Sequence, residues 1–331
     1  MPSTNTLVDV PGIKVGHAQN DEALTGCTVI LCEKGAIGGV DQRGGAPGTR
    51  ETDLLRPMHM VEKAHAILLG GGSAFGLDAA TGVVRYLEAK GIGVNTGVAM
   101  VPIVPSAILF DLAIGSASIR PDADMGYQAC LNASTKSVAQ GNVGAGTGAS
   151  VGKVLGMGQA MKSGIGSASI SVGGGLIVSA LIAVNAFGDI VEPHSDKIIA
   201  GARTLQKGPV KLGNGEYFAD TMKIFQTMAG RTIMKFASNQ NTVIGVVATN
   251  AKLTKEETNK VAQMAHNGLA LTIRPAHTML DGDTIFALAT GEKKADVNIV
   301  GAFAVEVVSQ AIVNAVRFAV SAGGIPAASE I

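Results

Sequence analysis

Residues 238–257 read SNQNTVIGVVATNAKLTKEE. Within them TVIGVVAT, residues 242–249, is a short apolar run rich in β-branched side chains, the pattern of a strand buried on both faces. Thr254 follows, with Glu257 three positions on. In that pairing each side chain satisfies a backbone N–H of the other, which starts a helix, and helical spacing of apolar residues continues over 255–269. A strand buried on both faces must be covered twice, so strand followed by helix predicts sheets layered with helices.

The same pattern extends outward in both directions. CTVILC (27–32), HAILLG (65–70), GLIVSALIAVN (175–185) and TIFALAT (284–290) predict further buried strands. Helical spacing predicts helices over 77–89 and from 296 to about 320. No Pro-rich or charged linker separates these elements, so one layered α/β domain over residues 1–331 is expected. Residues 163–188 carry no charge and are long enough to span a bilayer. Gly173-Gly174-Gly175 and the serines beside β-branched residues instead predict two buried strands about a turn, and no membrane partner is expected. Residues 201–238 mix charge, glycine and proline and predict an exposed loop.

With 47% apolar and 16% charged residues, the chain is too apolar to be disordered. Lys+Arg and Asp+Glu are both 26 and no basic run occurs, so nucleic acid is not an expected partner. Zero net charge with a mean hydropathy of +0.32 favours burying surface between subunits, and a homo-oligomer, tetramer or larger, is expected. Cys27, Cys32 and Cys130 are odd in number and lack metal or redox spacing, which predicts buried free thiols. The start, MPSTNTLVDVPGIKVGH, has neither a basic cluster nor an apolar run, so the cytoplasm is the expected compartment. The six histidines show no metal-binding spacing, and no metal or cofactor is expected.

GGGSAFG (70–76) lies between a strand and a helix but fits no nucleotide-binding glycine pattern, and Phe75 stands where G-x-S-x-G requires glycine. It reads as a tight connection. Asn241-Thr242 before a strand reads as a turn, because turns favour Asn and strands favour Thr. Asp281-Gly282-Asp283 is either a hairpin turn or a pair of carboxylates on one face of an extended chain, able together to hold a hydroxyl or an ammonium group. The residues alone leave both readings open.

Six stretches occur in order: VDVPGIKVGHA (8–18), DQRGGAPGTRETDLL (41–55), GGGSAFGLDAA (70–80), VGAGTGASVGK (143–153), and the two segments containing Asn241-Thr242 and Asp281-Gly282-Asp283. Together they resemble the family of L-aminopeptidase/D-esterases, β-aminopeptidases and nylon-oligomer hydrolase. The nylon-oligomer hydrolase branch is the nearer match, through its Asn-Thr site and Asp-Gly-Asp triplet. The resemblance implies an N-terminal-nucleophile-hydrolase-like, four-layer αββα sandwich. It also implies self-cleavage between Asn241 and Thr242 into pieces 1–241 and 242–331.

By the same resemblance Thr242 is the nucleophile, and its freed α-amino group is the base. Asp281 and Asp283 orient it, Lys153 tunes the local charge, and Asn185 in LIAVNAFG donates its amide to the developing oxyanion. Phe110 in PSAILFDL stands where the nylon-oligomer hydrolase pattern has a tyrosine near the substrate. The implied activity is hydrolysis of small peptide or amide substrates: aminoacyl, β-aminoacyl or 6-aminohexanoate-type amides. Two alternatives stand beside it, an acyltransferase of the ornithine acetyltransferase type and a non-enzymatic binding protein.

Overall fold

A computed structural model describes residues 3–205, 217–228, 230, 232 and 241–331. Much of the expected loop at 201–238 lies outside these residues.

Among the described residues nine strands join in one sheet. They are β1 (Lys14–Asn20), β2 (Thr25–Gln42), β3 (Thr49–Arg50), β4 (Lys63–Gly70), β5 (Ser106–Ile108), β6 (Ile165–Gly173), β7 (Leu176–Asn185), β8 (Thr242–Ala251) and β9 (Thr284–Lys293). The order is β6-β7-β8-β9-β2-β4-β5-β3, with β1 also on β2. The β8–β9 and β4–β5 pairs are parallel. β2 belongs to both halves of the sheet. Its first part pairs with β1 and β4, and its last part, Ile37 to Gln42, pairs with β9.

Side chains alternate across each strand, and the alternation sorts the residues into three apolar layers. One face of β7, β8 and β9 carries Val178, Ala180, Ile182, Val243, Val247, Ile285 and Ala287. These pack against α3 (Lys255–Thr272) and α4 (Val297–Arg317). The opposite face carries Leu181, Ala183, Ile244, Val246, Phe286 and Leu288, which meet Ile30, Ile67 and Leu69 from β2 and β4. The outer face of β2 and β4, with Cys27, Val29, Leu31, Ala66 and Leu68, is covered by α1 (Ala79–Ala89) and α2 (Ala123–Leu131). Two sheet halves face each other between two helical layers, the αββα arrangement.

The apolar runs fall inside strands except for Gly175, which lies in the turn before β7, and Thr254 and Glu257 form the expected capping box at the start of α3. Residues 163–188 form the β6–β7 hairpin. α4 is long and apolar enough to cross a bilayer, but Val300, Ala304, Val307, Ala311 and Ile312 bury one side of it in the core. The boundary that differs most from the sequence reading is that of β2. β2 runs ten residues past Cys32, to Gln42, because partners on both sides supply the hydrogen bonds that its glycines and charges do not advertise. Residues 73–78 form a 3₁₀ turn before α1, so GGGSAFG is a tight connection, as expected.

Candidate active site

The site grows out of strand register at one end of the sandwich. β7 and β8 run antiparallel, and their ladder closes on the pair Asn185 and Thr242. Alternation places Thr242 on the side of Ile244 and Val246, and Asn185 on the side of Leu181 and Ala183, so both belong to the face between the sheet halves. β8 and β9 run parallel with Ile244 opposite Thr284. Three residues back along each strand, the same register brings Asp281 beside Asn241 in an isolated bridge. The short strand Asp189–Val191, just beyond β7, pairs with Ile273–Arg274 and ties down the approach to this segment.

The Thr242 hydroxyl is buried and donates to the carbonyl oxygen of Asn241, the residue whose peptide bond it would attack. That carbonyl also accepts the backbone N–H of Gly282 at 3.1 Å. Gly282 has to be glycine, since a Cβ there would lie 2.8 Å from Thr242 Oγ1 and 2.6 Å from the Ala46 carbonyl oxygen. A nucleophile and a hydrogen-bond donor thus converge on one carbonyl, an arrangement suited to acyl transfer.

The flanking carboxylates grip the backbone around the nucleophile. Asp283 Oδ1 accepts the N–H of Val243 at 2.9 Å, and its Oδ2 accepts the N–H and Nδ1 of His277 at 3.0 and 2.9 Å. Asp281 Oδ2 accepts the Thr278 hydroxyl at 2.5 Å and the Thr278 N–H at 3.1 Å, while its Oδ1 accepts the Phe187 N–H at 3.3 Å. Burial and the charge of Asp283 push the Asp281 carboxyl up to about 6, against the pull of those donors. Asp283 thus holds the residue that follows Thr242, and Asp281 holds Thr278 and Phe187.

Lys153 is buried, and its Nζ donates to the side-chain and main-chain oxygens of Asn185 at 2.6 and 3.1 Å. Burial pushes its ammonium down to about 7, although Asp281 and Asp111 pull the other way. Near neutral pH a large share of these side chains therefore carries a free amine. The Asn185 amide donates to the Phe110 carbonyl at 2.8 Å, and its Oδ1 also accepts the Ser150 N–H at 3.1 Å. The donor seen on the Asn241 carbonyl is the Gly282 N–H. Phe110, half-buried, borders a narrow crevice with Asp111, Ile114, Ser150, Lys153 and Met157.

The fold thus gathers Asn241, Thr242, Asn185, Lys153, Asp281 and Asp283, with Phe110 joined through its main chain. The sequence reading missed the Gly282 N–H, Thr278, Ser150 and His277. His277 opens the same HTMLDGD stretch, but a search of the histidines for metal spacing passes over it.

A model of peptidase family S58 matches residues 5–328. An uncharacterized aminopeptidase of Mycobacterium tuberculosis (strain ATCC 25618 / H37Rv) is 44% identical over 301 residues, 87% of this chain and 82% of its own. A 6-aminohexanoate-oligomer endohydrolase of Kocuria sp. (strain KY2) is 34% identical over 288 residues, 86% of this chain and 74% of its own. Among solved structures, the L-aminopeptidase D-Ala-esterase/amidase of Ochrobactrum anthropi, described as a variant of the Ntn hydrolase fold, aligns with a TM-score of 0.71. It is 19% identical, with 98% of this chain and 88% of that one covered.

Proposed function

The chain belongs to peptidase family S58, and we propose that it matures by cutting its own Asn241–Thr242 bond, which makes Thr242 the N-terminal nucleophile. It is a hydrolase of peptide or linear amide bonds on the N-terminal-nucleophile hydrolase fold. The observation that carries the proposal is the Thr242 hydroxyl on the Asn241 carbonyl, with the Gly282 N–H on the same oxygen.

Before cleavage the Thr242 nitrogen is an amide and cannot act as a base. The Lys153 amine, held on the strand partner of Thr242, takes that part. It removes the hydroxyl proton, Oγ1 attacks the Asn241 carbonyl carbon, and the Gly282 N–H steadies the oxyanion. The C–N bond breaks as the proton passes to nitrogen, leaving an ester between Asn241 and Thr242. Water hydrolyses that ester, giving a carboxylate on Asn241 and returning the Thr242 hydroxyl, beside the amine already freed by the shift. The amine, with a reference pKa of roughly 7.7 to 8.0, then serves as base in each turnover. Oγ1 attacks the substrate amide, the leaving amine takes the proton, and water releases the acyl group.

The pH dependence follows from Lys153 and Asp281. As pH rises through about 7, Lys153 loses its proton and becomes competent, and Asp281 is already ionised above about 6. The splitting rate of precursor held at mildly acid pH and then shifted upward should climb through neutrality and level off. A rate that falls over the same range would remove Lys153 from this role.

The substrates proposed are small amides of aminoacyl, β-aminoacyl or 6-aminohexanoate type, supported by the 34% identical endohydrolase. Phe110 offers no hydroxyl to them. A panel of aminoacyl p-nitroanilides and linear 6-aminohexanoate oligomers, given to matured protein, should show hydrolysis. Acyl transfer to added glutamate in place of hydrolysis would favour the acyltransferase reading. A cytoplasmic homo-oligomer, tetramer or larger, is also proposed. It is supported by Met58, Met60 and Val98, each at least nine-tenths exposed in the single chain. A monomer mass in light scattering would refute the assembly.

A further inference from the structure

Asp283 is the carboxylate nearest in bonding to the nucleophile, since its Oδ1 accepts the N–H of the very next residue, Val243. Arg43 and Gly44 hold the Asp283 main-chain oxygen, and His277 holds the other oxygen of its carboxylate, Oδ2. His277 has a φ of 57°, in the left-handed region that a histidine seldom enters. That backbone turn brings both its main-chain N–H and its Nδ1 onto the same oxygen, Asp283 Oδ2. A carboxylate oxygen only accepts, so Nδ1 is the donor to it. Nε2 is buried and has no hydrogen-bond partner among the described residues. The His277 ring stands edge-on to His266, with centroids 4.8 Å apart and planes at 69°. His266 is fully enclosed and its Nε2 donates to the Asp41 carbonyl at 2.9 Å. The second ring thus braces the first, and its own tautomer is fixed from the far side.

We propose that His277 is a positioning residue for self-cleavage: it clamps Asp283 from two donors and so keeps Val243, and with it the Thr242 hydroxyl, aimed at the Asn241 carbonyl. The inference rests on Thr242 as the nucleophile. His277 touches neither the hydroxyl nor the scissile carbonyl. Its loss should slow splitting by roughly 10-fold to 100-fold, the scale seen when a residue that orients a site's inner groups is removed. It should not abolish it.

Three substitutions separate the clamp from the backbone turn. His277→Asn keeps a side-chain donor and tolerates left-handed φ. His277→Gly keeps the turn and removes the donor, and His277→Ala removes the donor and strains the turn. The readout is the first-order rate of splitting by intact mass, with thermal melting to establish folding. His277→Gly should fold and split 10-fold to 100-fold slower, with His277→Asn restoring most of the rate. A Gly variant that splits as fast as wild type, or an Asn variant as slow as the Gly one, would overturn the clamp. If His277→Gly does not fold, the Asn and Ala variants compared at equal folded fraction decide the question in the same way. Splitting that persists in Thr242→Ala would sink the nucleophile assignment itself, an outcome distinct from any in the His277 series.

Discussion

Thr242→Ala yields one uncut chain of 33.5 kDa without hydrolase activity. The substitution deletes the hydroxyl and one methyl at the start of β8, a strand held between β7 and β9 with all ten residues buried. The fold therefore survives and the chemistry does not. Self-cleavage loses its nucleophile, and substrate hydrolysis loses both nucleophile and base, because without the cut no α-amine appears at residue 242. Activity should fall by at least about 10⁴-fold, as when a covalent nucleophile is deleted. Thr242→Ser retains the oxygen and should still split. The check is denaturing electrophoresis with intact-mass analysis, and an Ala variant cut at the same bond would contradict the assignment.

Lys153→Arg comes next in expected size and separates two roles for the same side chain. If the buried ammonium acted only as a local positive charge, arginine would serve. If a free amine takes the Thr242 proton, arginine cannot serve, since its guanidinium stays protonated throughout the working range. Burial has brought Lys153 down to about 7, which makes it a usable base at neutral pH. General-base catalysis is typically worth about 10²-fold to 10⁴-fold, so splitting of both Lys153→Arg and Lys153→Met should slow by that order. The residual rate should lose its rise through neutral pH. An arginine variant with wild-type rate and pH profile would leave Lys153 as a cation and nothing more.

The elements that depend on local pattern are legible in the sequence. The strand at 242–251 can be read because both its faces are buried and its run is uninterrupted, and α3 because Thr254 and Glu257 announce it. The site is legible mainly through resemblance. Asn241-Thr242 and Asp281-Gly282-Asp283 each look like turns in isolation, and only the parallel register of β8 and β9 makes them neighbours. The Gly282 N–H is a backbone group, with no side chain for a motif to record. The His277 clamp depends on a left-handed φ and a second ring eleven residues earlier, neither of which spacing reveals. Asn185 can be found as a residue, but its bonds cannot. Its amide donates to the Phe110 carbonyl and its oxygen accepts from Lys153, because tertiary neighbours decide which end of an amide faces where.

The central claim is that the chain cuts itself between Asn241 and Thr242 by attack of Thr242 on its own peptide bond. Intact-mass spectrometry of newly made wild-type protein, followed over time at several protein concentrations, tests it most directly. Two products are predicted, residues 1–241 and 242–331, whose masses sum to that of the chain plus one water. They should appear with a first-order rate that does not change on dilution. Persistent full-length chain, a cut at another bond, or a rate that rises with protein concentration would contradict it.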